Sequence, residues 1–220
     1  MQIGQDRDNI VPFAGARKDM RSQAMSEVRA YWEALRNGRM VPLRSEIDPR
    51  GIERALEYAF ILEKAAPQVA RFRLAGMHLT DLLGMDVRGM PLTALFTPAA
   101  RAQIATVTEA VFAAPQIAEL SLAAETGFGR PPMEARMLML PLRSDLGDIT
   151  RALGCLIAEG HIGRAPRRFD VASVQLTSID QVQAPYRSTQ TAPHAFHEAQ
   201  KPFGNPTAER SHLRLIKTDK

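Results

Sequence analysis

Three extended, largely apolar segments at residues 116–125, 133–142 and 149–159 constrain the fold of this chain more than any other feature of its sequence. The segments that join them, TGFGRPP and RSDLGD, are rich in glycine, proline and aspartate. Connections of this composition are typical of β-hairpins. The pattern therefore predicts three consecutive antiparallel strands.

The middle segment is apolar on both of the faces that a strand would present. Successive side chains of a strand point to opposite sides. One face of the strand would then carry Met133, Ala135, Met137 and Met139. The other face would carry Leu138, Leu140 and Leu142. A sheet with two apolar faces needs two covering layers. We expect residues 80–112 to cover one face, and N-terminal helices, a partner chain or both to cover the other.

An amphipathic helix is predicted from Ser26 to about Asn37, because apolar side chains recur there at helical spacing. The stripe consists of Val28, Tyr31, Trp32 and Leu35. It either packs against the sheet or forms a contact surface for a partner, since Trp and Tyr are enriched where binding energy concentrates. Residues 1–24 are polar without sustained periodicity, and we expect them to be disordered.

A second helix is predicted from Asp48 to about Ala66. Asp48 is a suitable N-cap, and Pro49 is a suitable first helical residue. The apolar face of this helix would consist of Ile52, Leu56, Ala59 and Leu62. The alternating charges of RSEIDPR could suggest a catalytic carboxylate pair. The cap at Asp48, with local pairing of Arg44 to an acid, is the simpler interpretation.

Residues 69–76 predict a strand in which Phe72 and Leu74 share a face. A longer helix is predicted to start at Thr97-Pro98 and to stop before Pro115. Its apolar stripe consists of Ile104, Val107, Val111 and Phe112.

The intervening segment, residues 73–96, has three glycines and one proline among apolar residues, which is too many interruptions for one long helix. We expect Thr80 or Asp81 to cap a short helical turn that Gly84 ends. A new segment would begin after Gly89.

This order of elements resembles that of a PAS domain, a small sensory fold. The stretch LTDLLGMDVRGMPLTALFTPAAR also resembles the PAS segment in which a short helix and two glycines lead towards the longer helix. YWEALRNGRMVPLRSEIDPRGI, together with LRSDLGDITRALGCLIAEG, is similar to a bacterial family of stand-alone PAS proteins whose domain was long catalogued as of unknown function. The resemblance covers residues 28–160. It implies an α+β PAS fold, with an antiparallel sheet and short helices on one face at 67–160, and with the N-terminal helices at 25–66 outside that core unit.

The resemblance also implies a pocket between the sheet and the short helices, and a convex sheet face that meets partners or a flanking helix. We expect the pocket for a small ligand to be lined by Leu74, Phe96, Val107, Leu120, Met137 and Met139. A close-packed interior is the alternative, because apolar side chains of this size can fill the volume themselves.

Two kinds of cofactor chemistry known in PAS domains are not expected. Haem-binding members place a ligating histidine on the longer helix, and residues 98–113 contain none. Flavin photosensors use an Asn-Cys pair ahead of that helix, whereas the single cysteine, Cys155, lies in the last predicted strand. Any other cofactor stays unknown. We expect Cys155 to be a small core residue, and His78 to be hydrogen-bonded or exposed rather than functional.

Metal binding and catalysis are not expected either. His194 and His197 have the spacing of two ligands on one helical face, with Glu198 adjacent, but no third ligand has suitable spacing. The chain lacks a glycine-rich phosphate loop and a GxSxG motif, and GFGRPP is interpreted as a loop. The sequence therefore does not predict an enzyme.

The net charge of +4 belongs to the C-terminal part of the chain. Residues 1–160 contain 19 basic and 19 acidic residues, whereas residues 161–220 contain 9 basic and 5 acidic ones. We expect residues 161–220 to be a mostly disordered basic tail, with nucleic-acid binding through this tail as the alternative function. Within it, residues 169–179 are more apolar and would either add an edge strand or dock elsewhere.

The expected function is that of a sensory and interaction module that acts in trans on other signalling proteins, or on a second copy. Gating of this action by a small ligand in the pocket is a further expectation. No room for a kinase, a cyclase or a DNA-reading domain follows residue 160 in this sequence. We expect a cytoplasmic location without a membrane partner, because the start lacks a signal-peptide pattern and no apolar run reaches the length of a membrane span.

Overall fold

A computed structural model describes the backbone of residues 13–179 and the side chains of residues 23–179. The chain divides into two compact units, Met1–Gln183 and Ala184–Lys220, and the described residues all belong to the first. The helices are α1 (Phe13–Arg36), α2 (Met77–Leu83) and α3 (Arg101–Ala113), with 3₁₀ segments η1 (Arg44–Glu46), η2 (Pro49–Ala55) and η3 (Leu92–Leu95). The strands are β1 (Ala59–Ala66), β2 (Val69–Ala75), β3 (Gln116–Ala124), β4 (Glu134–Leu142), β5 (Arg151–Glu159) and β6 (Phe169–Ser178).

The six strands form one antiparallel sheet in the order β2-β1-β5-β4-β3-β6. The three C-terminal strands of the sequence prediction are confirmed as β3, β4 and β5. The expected α+β architecture is also confirmed, since short helices lie on one face of the sheet and α1 lies on the other.

Both faces of the sheet are buried, as the two-sided pattern of β4 predicts. Met137 and Met139 belong to an inner cluster, which β-strand residues form with α2, η3 and α3. Leu138 and Leu140 belong to an outer cluster, which other β-strand residues form with α1 and η2. α1 packs against β4 and β5 and against η2. The chain thus supplies both of the covering layers itself.

Two predictions for the N-terminal region are wrong. First, α1 begins at Phe13 rather than near Ser26, so residues 13–24 are helical and not disordered. That segment lacks an apolar stripe but is rich in Ala, Arg, Met and Gln, which favour helix by intrinsic propensity. The predicted disorder of residues 1–12 lies outside the described residues. Second, the helix predicted from Asp48 ends after the short η2, and the chain becomes strand β1.

The end of α1 and the boundaries of the central segment follow the prediction more closely. α1 stops at Arg36, and Asn37 adopts a left-handed conformation (φ 43°). Gly84 closes α2 in a left-handed conformation and donates to the Thr80 carbonyl at 2.7 Å. Thr80 and Asp81 do not cap this helix, however, because its N-cap is Gly76.

The sheet extends beyond the predicted core unit of residues 67–160 at both ends. β1 precedes that unit, and β6 follows it and pairs with β3 over the whole length of β3. Residues 169–178 are therefore an edge strand, the first of the two alternatives. The tail predicted for residues 161–220 lies outside the described residues from residue 180 onwards. Within the described part, no helix is both long enough and apolar enough to cross a membrane.

Candidate ligand and contact sites

Five of the six residues expected to line a ligand pocket come together inside the inner cluster. They are Phe96, Val107, Leu120, Met137 and Met139, each no more than 5% exposed. α3 and the segment after η3 press these side chains against β3 and β4. The structure therefore brings the predicted lining together, and its binding of a ligand stays a prediction.

Leu74, the sixth of these residues, lies on the opposite face of the sheet. Leu62 of β1 pairs with Phe72 of β2, but the adjacent Ile61 pairs with Leu74, so Arg73 is an extra residue in the ladder. Such a bulge reverses the alternation of side chains between the faces. Leu74 is consequently 51% exposed and does not line the interior. The prediction for this residue is wrong.

Leu74 instead lines an outer groove, which we define as the cleft between β1–β2, η1–η2 and α2. Its volume is about 580 Å³. The apolar lining includes Ile47, Ile52, Leu56, Ile61, Leu74, Met77 and Leu153. Leu56 and Met77 are 39% and 72% exposed. Sequence reasoning missed this groove, because it depends on the bulge and on η2 ending where a helix was expected to continue.

The stripe of α1 is mostly part of the protein's own core. Val28 and Trp32 are fully buried, and Trp32 Nε1 donates to the Pro141 carbonyl of β4 at 2.9 Å. Tyr31 is half-buried, and its hydroxyl accepts a hydrogen bond from the Asp48 N–H at 2.7 Å. Leu35 is also half-buried. Val28 and Trp32 therefore pack against the sheet, which is the first of the two interpretations. They cannot form a partner surface, because neither side chain is exposed.

The RSEIDPR segment is held by local polar contacts. Asp48 Oδ1 accepts from the Arg50 N–H at 3.0 Å, which confirms the predicted cap. The Glu46 carboxylate accepts two hydrogen bonds from Arg39, at 2.8 and 2.9 Å, and one from the Leu43 N–H. These bonds lower the pKa of Glu46. The arginine that pairs with an acid here is thus Arg39 and not Arg44 as predicted, and the segment is structural.

His78 lies in a second cleft, of about 780 Å³, where α1, η2 and α2 meet the end of β5. β5 extends past the start of β1, and there the Ala158 N–H donates to His78 Nε2 at 3.1 Å. The imidazole also meets the Tyr58 ring edge to face, with centroids 5.1 Å apart. His78 is therefore a hydrogen-bonded structural residue, one of the two outcomes expected for it.

Cys155 is fully buried in the outer cluster, as expected for a core residue. Burial raises the pKa of its thiol to about 12, and the positive charge of Arg136 opposes that rise only in part. In the part of the chain that the structure describes, no group of three or more His, Cys, Asp or Glu could hold a metal ion. The pair His194 and His197 lies outside that part.

Two solved structures are similar to about half of this chain. No functionally curated protein matches the chain. Among solved structures, the light-state LOV domain of the blue-light photoreceptor Aureochrome1 is similar, with 14% identity, a TM-score of 0.35, and coverage of 51% of this chain and 88% of that one. An RNA-binding light-oxygen-voltage receptor is also similar, with 17% identity, a TM-score of 0.36, and coverage of 53% of this chain and 35% of that one.

The sequence model of the PAS domain matches residues 20–157, which is more than half of the chain. The matched range begins at Met20 within α1 and ends at Ile157 within β5. It therefore includes most of α1, which covers the outer face, together with most of the inner cluster. On this evidence the chain belongs to the PAS-domain family, whose fold is that of a sensory module.

Proposed function

We propose that this protein is a sensory and interaction module that acts in trans, and that an apolar segment of another signalling protein docks in the outer groove. The observation that carries the proposal is the apolar surface that α1 leaves open on the outer face. α1 covers β4 and β5, whereas the groove lies over β1 and β2.

Exposure of the groove residues supports this role. Leu56, Leu74 and Met77 are long apolar side chains that expose 39%, 51% and 72% of their surface. Adjacent exposed apolar residues on a folded protein commonly mark an interaction site. Ile61 and Leu153 form the floor of the groove and belong to the outer cluster, so a docked segment would contact the same core that α1 contacts. Because the groove and the outer cluster share these residues, a change in the packing of the sheet could alter the groove.

The first experiment replaces Leu74 by a photo-crosslinking amino acid in the full chain and irradiates cells of the native host. We expect covalent adducts with a small number of proteins. Leu146 is the matched control position, because it is 91% exposed and apolar but lies on the β4–β5 loop, away from the groove. A captured protein supports the proposal only if it also binds the purified chain directly.

The second experiment measures that binding for Leu74→Glu and Leu146→Glu. Burying a leucine side chain stabilises a complex by about 1.5–3 kcal/mol, so Leu74→Glu should weaken the affinity by about tenfold or more. Leu146→Glu should leave the affinity unchanged. Both positions are exposed, so neither change should alter the free energy of unfolding by more than about 0.5 kcal/mol. Equal affinities for the two variants would reject the groove as the docking site.

Gating by a small ligand is the finer part of the proposal, and the inner cluster is its proposed location. Phe96, Met137 and Met139 would have to move to admit a ligand, since all three are fully buried. Native mass spectrometry of protein purified from its own host tests this part. A mass equal to that of the chain alone would reject gating by a ligand and would leave the docking proposal unaffected.

A further inference from the structure

The β3–β4 and β5–β6 loops, residues 125–133 and 160–168, lie side by side at one end of the sheet and carry several basic side chains. Together they contain one carboxylate, Glu125, and five basic or titratable nitrogen side chains: Arg130, His161, Arg164, Arg167 and Arg168. The two loops also contact each other directly, since the Arg164 N–H donates to the Gly129 carbonyl at 2.7 Å. Within the two loops the arginines therefore outnumber the carboxylates, whereas Glu134, Glu159 and Asp170 lie on the adjoining ends of β4, β5 and β6.

Gly163 allows the loops to approach this closely. A Cβ atom at this position would lie 2.4 Å from the Gly129 carbonyl oxygen and 2.7 Å from Pro131 Cδ. Its φ of 65° is also in the left-handed region, which glycine adopts most readily. The two loops thus pack against each other and form one base at this end of the sheet.

Arg167 is fully buried within this base and has no carboxylate partner among the described residues. Its guanidinium donates to the carbonyls of Pro131 at 2.6 Å and Glu125 at 3.2 Å, and also to that of Ile162. A buried charge is costly unless an opposite charge or a full set of hydrogen bonds compensates it. Burial and the nearby Arg130 guanidinium lower the pKa of Arg167, and Glu125 opposes them.

Buried side-chain nitrogen atoms without a hydrogen-bond partner also occur in these two loops. The described residues contain four buried side-chain nitrogen or oxygen atoms without a hydrogen-bond partner, and three are the Nε atoms of Arg130, Arg167 and Arg168. All three arginines adjoin Glu125. Arg130 donates to its carboxylate at 2.9 Å, Arg167 donates to its carbonyl, and the Arg168 carbonyl accepts its N–H at 2.9 Å. Such donors are rare in folded proteins, and each of them can be satisfied by an ordered water, an ion or a bound ligand.

A shallow cleft opens to the surface between the two loops. Its lining includes Thr126, Gly127, Gly129, Arg130, His161 and Gly163, and Pro131, whose carbonyl accepts from Arg167, forms part of its wall. Phe128 lies at the tip of a tight turn that two hydrogen bonds between Gly127 and Arg130 close, at 2.9 and 3.1 Å. Phe128 is 95% exposed. The turn thus presents an exposed aromatic side chain between Gly127 and Gly129, which line the cleft.

We propose that this cleft binds the phosphate group of a small molecule, with Arg130 as the contacting cation, Arg167 as the buried charge behind it, and Phe128 stacking on a planar ring of the ligand. Guanidinium groups match phosphate oxygens in charge and in fork geometry. Aromatic side chains stack readily on the bases of nucleotides. A phosphate rather than a neutral ligand suits the site, because Arg130 lines the cleft, no carboxylate side chain lines it, and the buried Arg167 behind it is bonded only to carbonyl groups among the described residues. The proposal does not depend on the outer groove.

Isothermal titration of the full chain with inorganic phosphate and with adenosine monophosphate, at constant ionic strength, tests the proposal. We expect both to bind, and the nucleotide to bind more tightly because it adds the ring contact. Arg130→Gln should weaken both affinities at least tenfold. Phe128→Ala should weaken the affinity for the nucleotide and leave that for inorganic phosphate unchanged.

Arg44→Gln is the matched control, since it removes one arginine far from these loops, in η1, and should change neither affinity by more than twofold. Arg164→Gln, at an exposed position of the same cluster, gives a second test if Arg130→Gln does not fold. The site would be overturned if neither ligand bound at millimolar concentration. It would also be overturned if Arg44→Gln lowered the affinities as much as Arg130→Gln and Arg164→Gln did. Unchanged nucleotide affinity in Phe128→Ala would overturn the stacking and leave a site for phosphate alone.

Discussion

Among single side chains, Cys155 shows how burial decides the chemistry that a residue can perform. It lies in the middle of β5, with Gly154 and Leu156 as chain neighbours, and is fully shielded from solvent. The raised pKa means that the reactive thiolate form is almost absent at neutral pH. A thiol reagent should therefore label the native chain far more slowly than the unfolded chain.

The same pKa predicts how stability changes in alkaline solution. The thiol ionises near pH 9.0 when unfolded and at about 12 when folded, so the unfolded state releases its proton first as the pH rises. The stabilisation is complete below pH 9, and is lost between pH 9 and 12 by up to about 1.4 kcal/mol per pH unit. Urea denaturation at several pH values, compared with Cys155→Ala, measures this loss. If the free energy of unfolding of Cys155→Ala fell with pH as steeply as that of the wild type, the loss would not come from the Cys155 thiol.

Leu74 marks the limit of what strand periodicity can predict for one residue. Four of the six proposed lining residues lie in one cluster because an uninterrupted alternation or helical stripe determines their face, and Phe96 joins them from the segment directly after η3. Leu74 follows a bulge, and one extra residue in β2 moves it to the other face. The bulge arises from pairing with β1, which is not encoded within β2 itself. The groove around Leu74 could not be found from its local sequence for that reason.

Among the helices and strands, α1 is the element whose removal from the sheet should cost most. Trp32 fills the space between α1 and the sheet and donates to the Pro141 carbonyl, so its truncation leaves both a cavity and an unpaired acceptor. Trp32→Ala should lower the free energy of unfolding by about 3–5 kcal/mol. Leu35→Ala, on the same helix but half-buried, should cost less. Chemical denaturation followed by far-UV circular dichroism measures both, and a smaller loss for Trp32→Ala would show that α1 is not a structural cover.

β1 shows why one element type was assigned wrongly from the sequence. Ile52, Leu56 and Ala59 have helical spacing, and the Asp48 cap is real, so the start of a helix was indicated correctly. Residues 58–62 form five consecutive buried positions, however, which suits a strand that is covered on both sides. Tertiary pairing with β5 outweighs the local helical signal. The strands of 116–159 were easier to predict, because their turn-rich connectors leave little room for a helix.

For the described part of the molecule as a whole, the sheet is shared by two clusters, so the two should unfold together. Every strand contributes side chains to at least one cluster, and β1, β3, β4 and β5 contribute to both. A loss of packing on one face therefore destabilises the backbone that the other face needs. This coupling is the basis of two-state behaviour in a domain of this size.

The single tryptophan makes this cooperativity measurable, because Trp32 reports on the outer cluster alone. Ile104→Ala removes a fully buried side chain of α3 from the inner cluster, at an expected cost of about 2–5 kcal/mol. Its denaturation midpoint should fall by the same amount when followed by Trp32 fluorescence and by far-UV circular dichroism. If the fluorescence midpoint stayed at the wild-type value, α1 and the outer face would unfold independently of the helices on the inner face. The sheet could then not carry a change from one face to the other, and a signal received in the inner cluster would have no path to the outer groove.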